Sequence, residues 1–167
     1  MGIKLDTDID SLIAILSQTG EYVRKGVAKK MVEGGVKMRD KAKDYAPVDE
    51  GNLEDAITVQ HDRAGINGRT KVYVFVDESH PVDNRDGHTV GEYAMRMHEG
   101  SYNLGEKSLA KQAGLGVTVG PKYLERAADD TTSETVSSML SEARHRLLIE
   151  GKGVASSIDS EYDDEEY

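Results

Sequence analysis

Tyr-Ala-Pro-Val-Asp-Glu-Gly-Asn-Leu-Glu-Asp-Ala-Ile, residues 45–57 (YAPVDEGNLEDAI), is where the chain changes from helix to sheet. Before it, from Glu21 to Tyr45, Val27, Met31, Gly34/Gly35, Met38, Ala42 and Tyr45 recur at spacings of three and four, the period of a one-sided helix. Pro47 stops that helix, because the residue ahead of a proline is pushed out of the α region. Asp49 can accept from nearby backbone N–H groups, and Gly51 supplies a φ that other residues resist. One helical turn, Asn52–Asp55 with Leu53 on its apolar side, then leads into a strand near Ala56–Asp62. The Gly34–Gly35 pair weakens the long helix by about 1 kcal/mol per glycine relative to alanine. That cost makes sense if another backbone must approach closely there, or if the helix bends.

Working outward, Ala64–Gly68 (AGING) is a hairpin turn by composition, since Asn-Gly tolerates positive φ. The return strand, Thr70–Asp77 (TKVYVFVD), alternates Val72/Val74/Val76 against Tyr73/Phe75, so both of its faces can be covered. Glu78–Gly91 reads as a polar loop, and Glu92–Glu99 fits helix or strand equally. Ser101–Gly120 is Gly-rich without a clear period, with Val117–Val119 as a brief strand. Too poor in apolar residues to order themselves, the two long loops are expected to order mainly on neighbouring subunits. Gly120-Pro121 opens a last helix, roughly Lys122–Glu150, with Pro in its first turn. Leu124, Ala127/Ala128, Val136, Met139/Leu140, Ala143 and Leu147 form its expected buried stripe, and the polar run Asp129–Glu134 is a place for a kink. At the other end, Asp8–Gln18 reads as a separate short helix. The fold class is α+β: a small, mainly antiparallel sheet packed against a long N-terminal and a long C-terminal helix, with extended loops. Residues 1–155 are read as one domain and 156–167 as an acidic flexible tail.

Composition narrows the function. The chain of 167 residues has no Cys, so disulfides and thiolate metal sites are excluded. Its core must be aliphatic, with Phe 1, Tyr 8 and Trp 0. No apolar run is long enough to span a membrane and no signal peptide is visible, so a soluble chain made in the cytoplasm is expected. The net charge of −10 is unevenly spread. Asp159, Glu161, Asp163, Asp164, Glu165 and Glu166 crowd the tail, whereas Arg24, Lys25, Lys29, Lys30, Lys37, Arg39, Lys41 and Lys43 crowd one helix. Such polarity suits a subunit meeting complementary neighbours, or simply a solvated helix face and tail.

Three segments then occur in a telling order. The first is Ala46-Pro47-Val48-Asp49-Glu50-Gly51-Asn52-Leu53. The second is Tyr93-Ala94, His98-Glu99-Gly100 and Tyr102-Asn103-Leu104-Gly105. The third is Val119-Gly120-Pro121-Lys122-Tyr123-Leu124-Glu125-Arg126-Ala127. Over about residues 20–145 the chain resembles the family of phage neck, minor tail and tail-completion proteins, whose pattern is roughly A-P-V-D-T-G-x-L, Y-A-x-x-x-E-x-G and G-P-x-x-L-x-x-A. Glu50 replaces the usual Thr, and His98 stands where the middle segment usually has Glu. The resemblance implies a structural virion protein, located in the neck or tail after passing through the host cytoplasm. It implies a homo-oligomeric ring in the head–tail connector that completes the head-proximal end of the tail. Partners would be the connector or head-closure protein on one side and tail terminator, tube or sheath proteins on the other.

The residues themselves assign fold-setting work to Pro47, Asp49, Gly51, Leu53, Gly120, Pro121, Leu124 and Ala127. Arg24, Lys25, Lys29, Lys30, Tyr93, His98, Glu99, Tyr102 and Leu104 are candidate interface residues. A zinc hydrolase is disfavoured: after His98-Glu99 the position needed for H-E-x-x-H is filled by Tyr102. No nucleophile elbow, phosphate loop or dinucleotide fingerprint is present. No enzyme activity, metal or cofactor is therefore expected. The alternative is a DNA-contacting channel or packaging accessory protein, in which the basic helix neutralises phosphates without reading bases.

Overall fold

A computed structural model describes residues 9–62, 70–83 and 86–162. Its elements are α1 (Ile9–Tyr45), α2 (Asn52–Ala56), β1 (Ile57–Asp62), β2 (Lys71–Val76), α3 (Gly91–Glu99), α4 (Glu106–Leu115) and α5 (Tyr123–Tyr162). The α+β class holds: two long helices and one two-stranded antiparallel sheet carry the fold. The chain divides into two units, Met31–Val136, and Met1–Lys30 with Ser137–Tyr167.

In the first unit the strands pair from Ile57↔Val76 to Asp62↔Lys71. Cross-strand partners share a face, so Ile57, Val59 and His61 lie with Val76, Val74 and Val72, and Thr58 and Gln60 with Phe75 and Tyr73. The valine face meets α1 at Gly35, where a Cβ would overlap Val72 Cγ1 and stand 3.2 Å from Val59 Cγ2. One residue earlier, Gly34 faces α5, and a Cβ there would overlap Thr135. Adjacent helix positions point about 100° apart, so the glycine pair admits two different neighbours at once. The close approach of another backbone expected at this pair is not found: the side chains of Thr135, Val72 and Val59 come close instead. Around it the core gathers Ala42, Tyr45, Ala46, Leu53, Ala56, Ile57, Val90, Ala94, Tyr123 and Ala127.

Helix α1 ends where proline dictates, with Ala46 N donating to Ala42 O at 2.9 Å just ahead of Pro47. Gly51 then adopts φ 95°, in the left-handed region, and opens α2. Gly51→Val should therefore lower unfolding free energy by about 2 kcal/mol, as side chains forced into that region do. A urea melt with an unchanged midpoint would refute this assignment of the turn.

Several expectations need correction. Asp8–Gln18 and Glu21–Tyr45 are not separate helices: α1 runs through Thr19-Gly20. One glycine weakens a helix by about 1 kcal/mol, but only a proline would remove a backbone hydrogen bond and force a break. Ser101–Gly120 is not featureless, because α4 occupies its centre. Val117–Val119 forms no strand. Pro121 is not in the first turn of α5. Lys122, with φ 58°, intervenes and the helix starts at Tyr123.

The polar run Asp129–Glu134 causes no break. The hydroxyls of Thr131, Thr132 and Thr135 donate to the carbonyls four residues back at 2.7, 2.6 and 2.8 Å and so are satisfied inside the helix. The expected buried stripe of α5 holds at Ala127 but not at Val136, Leu140 and Leu147, which are exposed. The helix also continues past Glu150 to Tyr162, into the segment read as an acidic tail. The Ala64–Gly68 turn and the tail's last residues, 163–167, lie outside the described residues.

In the second unit the two long helices meet through Arg146. Its guanidinium lies over the Tyr22 ring at 4.2 Å and donates to Tyr22 O at 2.9 Å. Glu142 accepts from Arg146 Nε at 2.6 Å, and Gly26 makes room for the arginine.

Candidate functional site

The three sequence segments, far apart in the chain, converge at the C-terminal end of α1. The third segment arrives first: Gly120 N donates to Tyr45 O at 2.9 Å, and Arg126 donates to Thr118 O at 2.7 Å and Gly120 O at 3.2 Å. The same guanidinium lies 4.9 Å from the centre of the Tyr45 ring. The Tyr45 hydroxyl donates to Asp130 of α5, and this hydrogen bond, with some burial, pushes the phenol's pKa up.

The second segment docks on the third. Lys122 N donates to His98 O at 2.7 Å, and the His98 and Tyr123 rings meet edge to face at 4.8 Å. Lys122 Nζ reaches Glu99 Oε2 at 2.5 Å, while His98 Nδ1 lies 2.8 Å from Glu99 Oε1. Through these two partners, Lys122 first, the Glu99 carboxyl is held below its ordinary value of 4.5. Tyr123 is fully buried, and desolvation raises its phenol far above the usual range.

Helix α4 clamps the first segment, although nothing in the segments themselves announces it. Ser108 Oγ accepts from Val48 N and donates to Val48 O, both at 2.9 Å, and is itself buried. Lys107 Nζ donates to Asp49 O at 2.6 Å. Lys111 Nζ donates to Ala46 O at 2.8 Å and Lys43 O at 2.5 Å, and pairs with the Glu54 carboxylate. The last-turn carbonyls of α1 are thereby capped by an ammonium, the charge that a helix C-terminus favours. Asp49, expected to accept from backbone N–H groups, instead faces Lys107 Nζ at 3.5 Å. The long loops likewise find partners within the chain. Asn52 Oδ1 accepts from Asp83 N at 3.1 Å, and a bridge joins Pro81 to Thr89. Ordering mainly by neighbouring subunits is not needed for these contacts.

Between the clamped segment and the α3–α4 region lies a cleft of about 700 Å³. Pro47, Asp49, Gly51 and Leu53 line one wall, and Tyr93, Met97, Tyr102 and Leu104 the other. Its lining mixes these apolar side chains with the charges of Glu50, Glu92, Glu106 and Arg96. Tyr102 is fixed by donating to Met97 O at 2.8 Å. Of the candidate interface residues, Tyr93, Tyr102 and Leu104 come together here. His98 is largely covered by its own chain, and Glu99 is engaged by Lys122. Leu124 and Ala127 serve the core.

Arg24, Lys25, Lys29 and Lys30 belong to the other unit. There Lys25 pairs with Glu21 at 2.9 Å and Arg24 approaches the same carboxylate at 3.9 Å. Further along α1, Lys37 pairs with Glu134 and Arg39 with Asp40. Much of the basic run is therefore balanced by the chain's own carboxylates. Among the described residues no three His, Asp or Glu side chains gather to hold a metal ion, and no helix is long and apolar enough to cross a membrane.

These ion pairs set a pH dependence. The carboxyls of Glu99, Glu92, Glu134, Glu142 and Glu21 are all held below 4.5 by hydrogen-bonded partners. A carboxyl depressed by folding adds stability that is fully present above its unfolded value and is lost as pH falls through the folded one. Melting temperature should hold level near neutrality and fall as pH drops below about 4.5. Lys122→Gln should flatten part of that fall by removing the larger of Glu99's two partners and leaving His98, and an identical acid profile in the variant would count against the Lys122 pairing.

A family model described as "Bacteriophage HK97-gp10, putative tail-component" matches residues 10–93, just over half of the 167 residues. The match contains the clamped first segment and ends on Tyr93 in the cleft wall. No characterised protein and no solved structure matches the chain.

Proposed function

Because the chain belongs to the HK97-gp10-like family of phage tail components, we propose that it is a structural subunit of the neck ring. Copies pack side by side where head meets tail and complete the head-proximal end of the tail. The observation that carries this reading is apolar surface left open on an otherwise charged helix: Leu140, Leu147 and Leu148 of α5 are each more than half exposed. Large aliphatic side chains held in water on one element are a mark of surfaces that meet other chains. The cleft lined by Tyr93, Tyr102 and Leu104 offers a second contact surface, suited to a head-closure or tail-terminator segment. On this reading the protein is not an enzyme, needs no cofactor and works in the virion.

A phage carrying a nonsense codon in this gene tests the proposal. The expected result is full heads and free tails accumulating separately, with joined particles restored by the purified protein. Joined, infectious particles lacking the protein would overturn it. The second reading, contact with DNA in the channel, is favoured by Lys29 and Lys41 of the basic run, both exposed on α1. It requires duplex DNA affinity that falls steeply with salt. The internal pairing of Arg24, Lys25, Lys37 and Arg39 argues for weak binding at best.

A further inference from the structure

The sheet has only two strands, and a two-stranded sheet alone is marginal in water. Pairing uses one edge of β1 and one edge of β2. Among the described residues, the other edge of each strand faces no further strand of the chain. Natural proteins usually blunt such edges with proline, bulges or central charges. Here neither strand contains proline, and the charged residues Asp62 and Lys71 sit at one end of the ladder. One face is taken by α1 at Gly35. The opposite face leaves Tyr73 at 47% and Phe75 at 37% exposure, beside Thr58 and Gln60. Among the described residues both edges thus lack a strand partner, beside one partly exposed aromatic face.

We propose, resting on the ring reading above, that copies join head to tail through these edges. In this arrangement β1 of one copy pairs with β2 of the next, giving one continuous antiparallel sheet. A second copy in the same orientation presents β2 antiparallel to β1, so the strand alternation continues unbroken. Because cross-strand partners must share a face, the register shifts only in steps of two. The register that repeats the internal one sets the neighbour's Tyr73 opposite Gln60, its Phe75 opposite Thr58 and its Lys71 opposite Asp62.

The head-to-tail register continues the chain's own Asp62–Lys71 pairing across the join. Of the two-fold rivals, β1 with a second β1 centred on Gln60 puts Asp62 opposite Thr58, whereas β2 with a second β2 centred on Val74 puts Lys71 opposite Asp77, so the crosslinks below decide between the arrangements. The head-to-tail contact is heterologous, and such contacts close into rings when the rotation per step divides a full turn. The twist between neighbouring strands supplies a rotation of constant hand.

The absence of Cys makes the test clean. Two chains are prepared, one with Gln60→Cys and one with Tyr73→Cys, both at exposed positions of the outer face. A single cysteine per chain rules out a crosslink inside one molecule. Phage particles are assembled with each chain alone and with both, then treated with a short thiol-to-thiol linker. A third chain, Ser133→Cys, with its cysteine exposed outside both the sheet and the cleft, sets the background. The expected result is a crosslinked dimer in the mixture well above that background and above either chain alone. Equal crosslinking by Tyr73→Cys alone would replace the head-to-tail arrangement with a two-fold one. Neck density containing the protein but no 60–73 crosslink would overturn the edge pairing and leave the ring reading standing. Particles that join normally without incorporating any of the chains would overturn both.

Discussion

Gly35→Val is expected to destabilise the protein by about 2–3 kcal/mol, the range for overpacking a filled core site. The backbone at Gly35 is ordinary helix, so the cost comes from the neighbour rather than from φ and ψ. A Cβ there overlaps Val72 Cγ1 and lies 3.2 Å from Val59 Cγ2. Both valines belong to strands locked in register, Val59↔Val74 and His61↔Val72, so neither can retreat alone. Valine would add two γ-carbons with little rotamer choice in a helix. Its better helix propensity returns only a few tenths of a kcal/mol. For a chain of this size the melting point should fall by roughly 4–12 °C. Gly20→Ala is the matched control, since a Cβ at Gly20 meets nothing within 4 Å. It should stabilise by about 0.5–1 kcal/mol through helix propensity alone. Equal effects from the two changes would show that helix propensity, not contact with the sheet, governs both sites.

The same glycines show what could be read in advance. Their cost to the helix signalled a close approach, but side chains from elements distant in sequence make it, where another backbone was expected. The alternation of Val72, Val74 and Val76 announced a strand with two faces, and Pro47 and Gly51 announced the stop of α1 and the turn after it. These signals are local: they depend on backbone geometry or on a period of two.

What escaped reading is held by polar contacts or by partners elsewhere. Helix α4 (EKSLAKQAGL) docks through Ser108, Lys107 and Lys111, so it has no apolar stripe for a periodicity argument to find. Its helix-favouring composition and Gly116, which adopts a left-handed φ of 66° after its last turn, were the available signals. The stripe Val136, Leu140 and Leu147 was legible as helix but not as exposed. Amphipathic spacing tells which face is apolar and not which molecule covers it. The cleft was foreshadowed residue by residue, in Tyr93, Tyr102 and Leu104 on one side and Pro47 to Leu53 on the other. Their meeting required α4 to be in place.

Lys111→Met should therefore cost the protein about 2–3 kcal/mol, a large effect for one helix residue outside the hydrophobic core. Methionine keeps most of the aliphatic stem and removes only the ammonium. In the folded protein that ammonium donates to Lys43 O and Ala46 O and pairs with Glu54, with side-chain exposures of 14% for Lys111 and 25% for Glu54. Removing it strands two helix-end carbonyls and a largely covered carboxylate at once, and the loss of each group's solvation is then uncompensated. Lys107→Met tests whether position or charge matters. Its ammonium is 63% exposed and its partner Asp49 is 91% exposed, so screening by water should hold the cost below about 1 kcal/mol. Glu54→Leu on top of Lys111→Met should recover part of the loss, because it removes the stranded charge, and the two sites should couple by about 1–2 kcal/mol in a double-mutant cycle. Urea unfolding of five chains, the parent, Lys111→Met, Lys107→Met, Glu54→Leu and the Lys111→Met/Glu54→Leu double variant, measures all of these terms. If Lys111→Met unfolds at the same midpoint as the parent, or no more readily than Lys107→Met, then α4 does not cap α1, and the cleft wall built on that cap has another source of rigidity.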